Sequence, residues 1–428
     1  MSLPAEKLPH AADADPAVDP HATPAPANDT NVLDVAEAEK VLPLPVMLTT
    51  IQERFGKPLP TIVTEIAKAA FGPGKLSTEE YFTLRLFDDA KIIGDKAAFC
   101  GMTGMRKLWP IANYMPEWYG PITDKLAFDT LLTGYGLPAI RMRAYYFTDG
   151  FRVPAQRMLR SRDDLKAFLT DPASYPFFSK PRSSSLSLGS ASATGYDAAS
   201  GEIRLLNGTS VGLDKFIDDI VTHFGAGYMF QERVTPHEGV RAICGDRLAT
   251  VRVYTINGAN GPEVFRVCWK VPAGKNVADN YWRKGNILAA VDYETGKVTR
   301  AIKGFALDQV ELTTHPDTGA PLVGAVIPNF KQVLDLALEG ARVFSDIRII
   351  GWDIAPTPEG GVIVEGNYAP DFKLVQMAEC RGILDSRLNA FLDFCKKEKV
   401  KFQASLKARA KDQAREDLRK FKKSAWMR

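Results

Sequence analysis

Apolar and polar positions recur with two different periods along this chain, and the switch between them divides it. From about residue 32 to 119 the period is helical. Residues 59–71 carry one apolar face and stop at Gly72-Pro73-Gly74. Ser77-Thr78-Glu79-Glu80 then has the form of a capping box, in which a serine and a glutamate three residues on satisfy each other's free backbone N–H groups. Another helix is predicted over 121–132, closed by Gly134-Tyr135-Gly136-Leu137-Pro138, with a strand over 139–148. The same helix-then-strand order returns at 161–170 and 177–180, the order of an α/β (α+β) chain.

Past residue 178 the chain turns rich in Ser and Gly as far as 196, then returns to regular patterns. A helix over 213–223 leads into a strand over 228–234. Strands follow at 248–256 and 264–271, and residues 289–302 fold around Glu294-Thr295-Gly296-Lys297. A long amphipathic helix over 328–344 precedes a strand over 347–355, a Thr-Pro-Glu-Gly turn and a strand over 361–365. Residues 1–30, rich in Ala, Pro, Asp and His without apolar periodicity, read as a disordered tail. Residues 395–428 read as a basic, Ala-rich helix. A solvated helix end is the plain reading of that tail, and attraction to an acidic membrane surface or partner is the other. No internal repeat is visible.

Composition changes this picture mainly by exclusion. At 428 residues the chain implies two or three domains, and 45 % hydrophobic with 25 % charged residues is ordinary for a soluble globular protein. A net charge of +3 gives no support to general nucleic-acid binding. No apolar run approaches the roughly 20 residues of a membrane span, and no signal pattern opens the chain, so a cytoplasmic location is expected. The five cysteines are scattered without CxxC spacing, which fits reduced thiols, and the five histidines are equally dispersed. A metal site built on nitrogen and sulfur is not expected, which leaves oxygen ligands to examine.

The most informative segment is Gly351-Trp352-Asp353-Ile354-Ala355, the turn near Glu359, and Val364-Glu365-Gly366-Asn367. A hairpin regular about Glu359 sets Asp353 across from Glu365 and Gly351 across from Asn367. Asp353, Glu365 and Asn367 then share one face, with Ile354 and Val364 on the other. Directly opposed carboxylates stand about 4.5–5.5 Å apart at Cβ and repel, so a positive group must accompany them. Oxygens from Asp, Glu and Asn, without His or Cys, suit Mg²⁺. The plain alternative is a surface hairpin with two solvated acids.

Four weaker signals precede it. Lys180 ends a strand before the hydroxyl-rich run that contains Ser184 and Ser185, a loop able to wrap phosphate oxygens. Residues 228–234 end in Gln231-Glu232-Arg233-Val234, whose extended backbone could meet an adenine edge, with Glu238 placed for ribose hydroxyls. Arg252 and Lys270 each fall among apolar strand residues, and a buried cation needs a partner. A phosphate or the acids of the hairpin would serve, as would a structural salt bridge.

In this order the segments resemble the ATP-grasp superfamily over about residues 121–372, closest to the sugar-transfer-associated ATP-grasp family. More distant likeness runs to D-alanine–D-alanine ligases and tubulin-tyrosine-ligase-like enzymes. The resemblance implies an ATP-grasp fold holding nucleotide between two α+β subdomains, 121–240 and 241–395, behind a helical region over 31–120 and ahead of the basic tail over 396–428. It implies Mg²⁺ on Asp353, Glu365 and Asn367, and ATP on Lys125, Lys180, Ser184, Ser185, Gln231, Glu232, Val234 and Glu238. Arg252 and Lys270 fall to the transferred phosphate, and Asn276, Asn280 and Asn286 to a segment lining the substrate site. Where D-alanine ligases carry an arginine two residues before the first metal acid this chain has Gly351, and its phosphate loop is serine-rich.

The chemistry implied is an ADP-forming ligase that activates a carboxylate as an acyl phosphate for capture by an amine, with small-molecule or sugar-linked substrates. Two rivals stay open. One is a kinase that phosphorylates a hydroxyl and stops there; the other is a nucleotide-binding regulatory protein without turnover.

Overall fold

The protein is described here by a computed structural model covering residues 43–150, 152, 156–182 and 189–426, with side chains as far as 421. The tail over 1–30 and the loop residues Ser184 and Ser185 lie outside the described residues. The chain begins with helices α1 (Leu44–Phe55), α2 (Leu59–Phe71), α3 (Thr78–Thr83) and α4 (Met102–Ala112), then α5 (Tyr119–Thr123) and α6 (Lys125–Gly134). The capping box is present at α3, where Ser77 accepts from the Glu80 N–H and the Glu80 carboxylate accepts from the Ser77 N–H. The single helix expected over 121–132 is two, because Asp124 leaves the helical backbone to cap α6, accepting from the Leu126 and Ala127 N–H groups.

The first half continues through β1 (Met142–Tyr146), β2 (Met158–Leu159), α7 (Arg162–Thr170), β3 (Phe177–Pro181), β4 (Ala191–Asp197), β5 (Glu202–Leu205), β6 (Ser210–Gly212), α8 (Leu213–His223) and β7 (Tyr228–Glu232). After α9 (Glu238–Cys244) come β8 (Val251–Gly258), β9 (Gly261–Val271), β10 (Ile287–Val291), β11 (Val298–Lys303), β12 (Val310–Glu311), α10 (Phe330–Val343), β13 (Ile349–Thr357), β14 (Gly360–Asn367), α11 (Lys373–Glu379) and α12 (Ser386–Trp426). Among the described residues these strands form two sheets of seven, in the orders β2-β1-β7-β3-β4-β5-β6 and β12-β11-β10-β9-β8-β13-β14.

Alternation of side chains gives each sheet two distinct faces. On the first sheet, Phe177, Tyr228 and Phe230 pack with α7 and α8, while Met229 turns to the opposite side with Leu126 of α6. On the second, Val251, Val253, Trp269, Trp352 and Ile354 pack against α10. Gly340 lets α10 sit directly on Trp352, since a Cβ there would lie 2.8 Å from the indole ring. Helix α6 joins the two halves, with Leu126 in the first core and Phe128 and Leu132 in the second.

The other face of the second sheet carries Tyr254, Cys268, Leu288 and Ile302, and these share one core with α1 to α4, α11 and the root of α12. The helical N-terminal region is thus fastened to the second sheet rather than standing apart. Two amide side chains stitch the seam. Asn113 donates to the Ile349 and Tyr368 carbonyls and accepts from the Ile349 N–H, while Gln376 exchanges both hydrogen bonds with the backbone of Cys100. The boundary expected at 396 falls inside α12, which starts at 386 because Asp385 accepts from the Leu388 N–H and begins the helix earlier.

Candidate functional site

The hairpin β13–β14 pairs Asp353 with Glu365 and Gly351 with Asn367, as the alternation predicts. It is not regular, however. A two-residue turn pairs Thr357 with Gly360, and a bulge beyond Asp353 restores the register of the acids. Ile354 therefore faces Ile363 in the core, and Val364, expected beside Ile354, lines the cavity described below.

Strand β8 lies on the far side of β13, so a continuous row runs Glu365–Asp353–Arg252–Cys268 across four strands. Asp353, 3 % exposed, takes Arg252 in a two-pronged pair, Nε to Oδ1 at 2.6 Å and Nη2 to Oδ2 at 2.8 Å. Lys270 adds a third contact, Nζ to Oδ2 at 3.1 Å. Burial pushes the Asp353 carboxyl up, but the charges of Arg252 and Lys270 outweigh it and bring it down to about 2. Burial likewise opposes the charged form of Lys270, yet Asp279 and Asp353 hold its pKa above the ordinary lysine value. The cation demanded by two opposed acids is supplied from within the sheet.

Gly351 is closely packed beside the Arg252–Asp353 pair. A Cβ at 351 would stand 2.7 Å from Pro370 Cβ and 3.4 Å from Arg252 Cδ. Pro370 thus occupies the room that a side chain at 351 would fill, with Arg252 in ordinary contact beside it. Gly351→Ala is expected to cost about 1–3 kcal/mol by overpacking, read as a lower midpoint in chemical denaturation.

Asp279 was not anticipated. It lies in the loop between β9 and β10, 3.5 Å from Lys270 Nζ, and accepts from the Thr250 N–H at 2.6 Å and from the Thr250 hydroxyl. Asn276, Asn280 and Asn286, expected to line a substrate site, hydrogen-bond within this loop. Asn286 is 1 % exposed, accepts from the Ala273 N–H and Asn276 Nδ2, and donates to the Ala278 and Asn280 carbonyls. That exhausts its hydrogen-bonding capacity. Asn276 also donates to the Lys284 carbonyl and Asn280 accepts from the Trp282 N–H. The polar run is a scaffold for Asp279.

Glu365, half-buried, faces the first sheet across a small cavity walled by Lys125 and Asp129 of α6, Lys180 of β3, Gln231 of β7 and Val364. Its volume of about 20 Å³ has room for a water molecule. Lys125 donates to the Arg182 carbonyl at 3.4 Å, and Arg182 in turn pairs with the capping Asp124 at 2.7 Å, which fixes the start of α6. Burial lowers Lys125, against the pull of Glu365 and Asp124. Burial, with Lys125 nearby, brings Lys180 down to about 8 despite Glu365 and Asp129. Asp129 is pushed up to about 6 by burial, with Lys180 opposing. It stands four residues after Lys125, one helical turn on, and that spacing was its signal. Gln231 is 3 % exposed and its Oε1 has no hydrogen-bond partner.

Glu232, Val234 and Glu238 are not part of the cavity wall among the described residues. The Glu232 side chain alternates to the opposite face of β7, 3.7 Å from Arg143, and Glu238 is exposed in the first turn of α9. Among the described residues no three His, Cys, Asp or Glu side chains gather as a metal cluster. The oxygens offered are two carboxylates and the Asn367 amide. Asp353 retains a free lone pair on Oδ1, because Oδ1 accepts one hydrogen bond and Oδ2 two. This all-oxygen set fits a hard divalent cation such as Mg²⁺.

Two seven-stranded sheets meeting at this cavity, behind an N-terminal helical region, make a mixed α+β architecture. Residues 212–392 match the profile of the sugar-transfer associated ATP-grasp family. Among solved structures, the D-alanine–D-alanine ligase from Coxiella burnetii is similar over 69 % of this chain and 62 % of its own, at 12 % identity and a TM-score of 0.40. The D-alanine–D-alanine ligase from Bacillus anthracis is similar over 74 % and 84 %, at 12 % identity and 0.37. The ATP-grasp ligase PsnB, complexed with a phosphomimetic variant of its minimal precursor, Mg and ADP, is similar over 67 % and 62 %, at 15 % identity and 0.34. The chain thus spans less than two thirds of the Coxiella and PsnB proteins. No curated protein sequence matches it.

Proposed function

We propose that this protein is an ATP- and magnesium-dependent ligase that activates a carboxylate as an acyl phosphate for capture by an amine. The observation that supports it most is the meeting of two half-buried lysines, Lys125 and Lys180, with Glu365 at the end of the Glu365–Asp353–Arg252 row. Lys125 and Lys180, set against Glu365 and Asp129 in the wall, are two cations that triphosphate oxygens would engage. The unpartnered Gln231 Oε1 is an acceptor suited to an exocyclic amine of a base. Ser184, Ser185, Glu232, Val234 and Glu238 are proposed on the family resemblance alone.

In this reading a substrate carboxylate oxygen attacks the γ-phosphorus, the bond to the bridging oxygen breaks, and ADP leaves with the electron pair. Arg252 and Lys270 hold positive charge beside the transferring group, where it stabilises the transition state without rearrangement. The amine then attacks the acyl carbon, inorganic phosphate departs, and the nitrogen loses a proton. Glu365, Asn367 and the remaining Asp353 lone pair would hold Mg²⁺, which when bound would offset terminal-phosphate charge. The cavity is too small for a purine, so entry requires Lys125 and Lys180 to swing aside or the two sheets to part. Sugar-linked carboxylates and amines are the first substrates to try, given the description of the matching family.

The test is thermal stability with ATP, with and without Mg²⁺, for the wild type, Glu365→Gln and Lys180→Met. Wild type is expected to gain about 2.7 kcal/mol at a hundredfold excess over the dissociation constant. Glu365→Gln should lose the magnesium-dependent part and Lys180→Met most of the whole. A wild type indifferent to Mg·ATP would overturn the reading. Glu365 is a better probe than Asp353, whose replacement would strand two buried cations.

A further inference from the structure

Helix α12 is longer than the fold requires. Its root is built into the core through Leu388, Phe391, Leu392 and Cys395, and Phe402 still meets Tyr114 with ring centroids 5.6 Å apart. From residue 403 to 421 every residue is exposed. Residues 403–426 therefore form a rod of about 36 Å at 1.5 Å per residue, held locally by pairs such as Glu416–Lys420 at 2.8 Å and Asp412–Arg415 at 3.7 Å.

Two rows run along the rod. Leu406, Ala410, Ala414, Leu418 and Phe421 follow helical spacing, and Leu406, Leu418 and Phe421 are 46 %, 54 % and 70 % exposed. One position on, Lys411, Arg415 and Arg419 make a parallel basic row. Residues 396–428 hold thirteen Lys or Arg against four Asp or Glu, a net +9 in a chain of net +3, so the remainder is net negative.

We infer that the exposed part of α12 lies on an anionic phospholipid surface. The two rows together select this occupant. A second copy docked helix to helix would bring two strongly basic rods into contact, and a nucleic acid would engage the basic row while leaving the apolar one in water. An anionic bilayer engages both, with phosphates beside the basic row and the apolar row at the headgroup–acyl boundary. No described helix is long and apolar enough to cross a membrane, so this contact is peripheral. It would hold the remainder of the protein, which is net negative, at the surface by one arm.

The experiment is sedimentation of the full chain with phosphatidylcholine vesicles, with and without phosphatidylglycerol, across a salt series. The wild type is expected to bind only the anionic vesicles and to release as salt rises. Lys411→Glu/Arg415→Glu/Arg419→Glu should bind about a hundredfold more weakly, at about fivefold per basic residue. Leu406→Ser/Leu418→Ser/Phe421→Ser should bind about tenfold or more weakly. Both variants should keep the wild-type melting temperature, because the altered side chains are exposed. Absence of binding at low salt, binding indifferent to both triple variants, or a dimer in analytical ultracentrifugation that either variant dissolves would each overturn the inference.

Discussion

Arg252→Met is expected to destabilise the protein by about 3–5 kcal/mol near neutral pH, the cost of leaving a buried carboxylate without its main partner. Asp353 is 3 % exposed and cannot recover water without opening the sheet. Lys270 remains, but it is shared with Asp279. The pH dependence has a definite sign. In the wild type the carboxyl is held at about 2, below the ordinary 3.8, so its stabilisation is fully present above that ordinary value and is lost as the pH falls through about 2. Without Arg252 its pKa rises, and acidification should narrow the gap between variant and wild type. Urea denaturation at several pH values measures this. Arg252→Met/Asp353→Leu should recover much of the loss, since two apolar groups leave nothing uncompensated. A single variant as stable as wild type would mean that the pair is not buried as described.

Asn286→Leu is expected to have the second-largest effect, and to separate a scaffold from a ligand site. The change removes four hydrogen bonds and leaves the Ala273 N–H and the Ala278 and Asn280 carbonyls to find other partners. At about 1–3 kcal/mol for each group left unsatisfied in a buried setting, a loss of about 3 kcal/mol or more follows. Amide hydrogen exchange should accelerate across residues 273–286. Stabilisation by Mg·ATP should survive, because Asn286 has no free hydrogen-bonding capacity to offer a ligand. Loss of nucleotide response at unchanged stability would instead restore Asn286 to the substrate site.

What the sequence made legible follows from which forces are local. The pairing of Asp353 with Glu365 could be read because strand alternation and a short turn leave few registers. The bulge that places Val364 in the cavity could not, since its two-residue turn and extra residue cancel in the count. Arg252 and Lys270 were legible as buried cations, and the need for a partner led to Asp353. The internal bonding of the asparagines was not legible for a related reason. A polar run looks the same whether its amides face a ligand or one another, and only the folded loop shows that Asn286 is saturated. Asp129 had a signal in its helical spacing from Lys125, whereas Asp279 had none beyond its place among those asparagines. The split of α5 from α6 was written in Asp124, a capping residue in a segment that otherwise reads as one helix.

The seam between the N-terminal helices and the second sheet has a consequence for synthesis. Asn113 is joined to Ile349 across 236 residues and Cys100 to Gln376 across 276. At roughly 5–20 residues per second, a ribosome needs roughly 10–60 s to deliver those partners. Through that interval Tyr81, Phe82, Phe87 and Phe99 lack the sheet face that completes their core. The nascent helices thus keep these apolar side chains uncovered until the last-made third of the chain arrives.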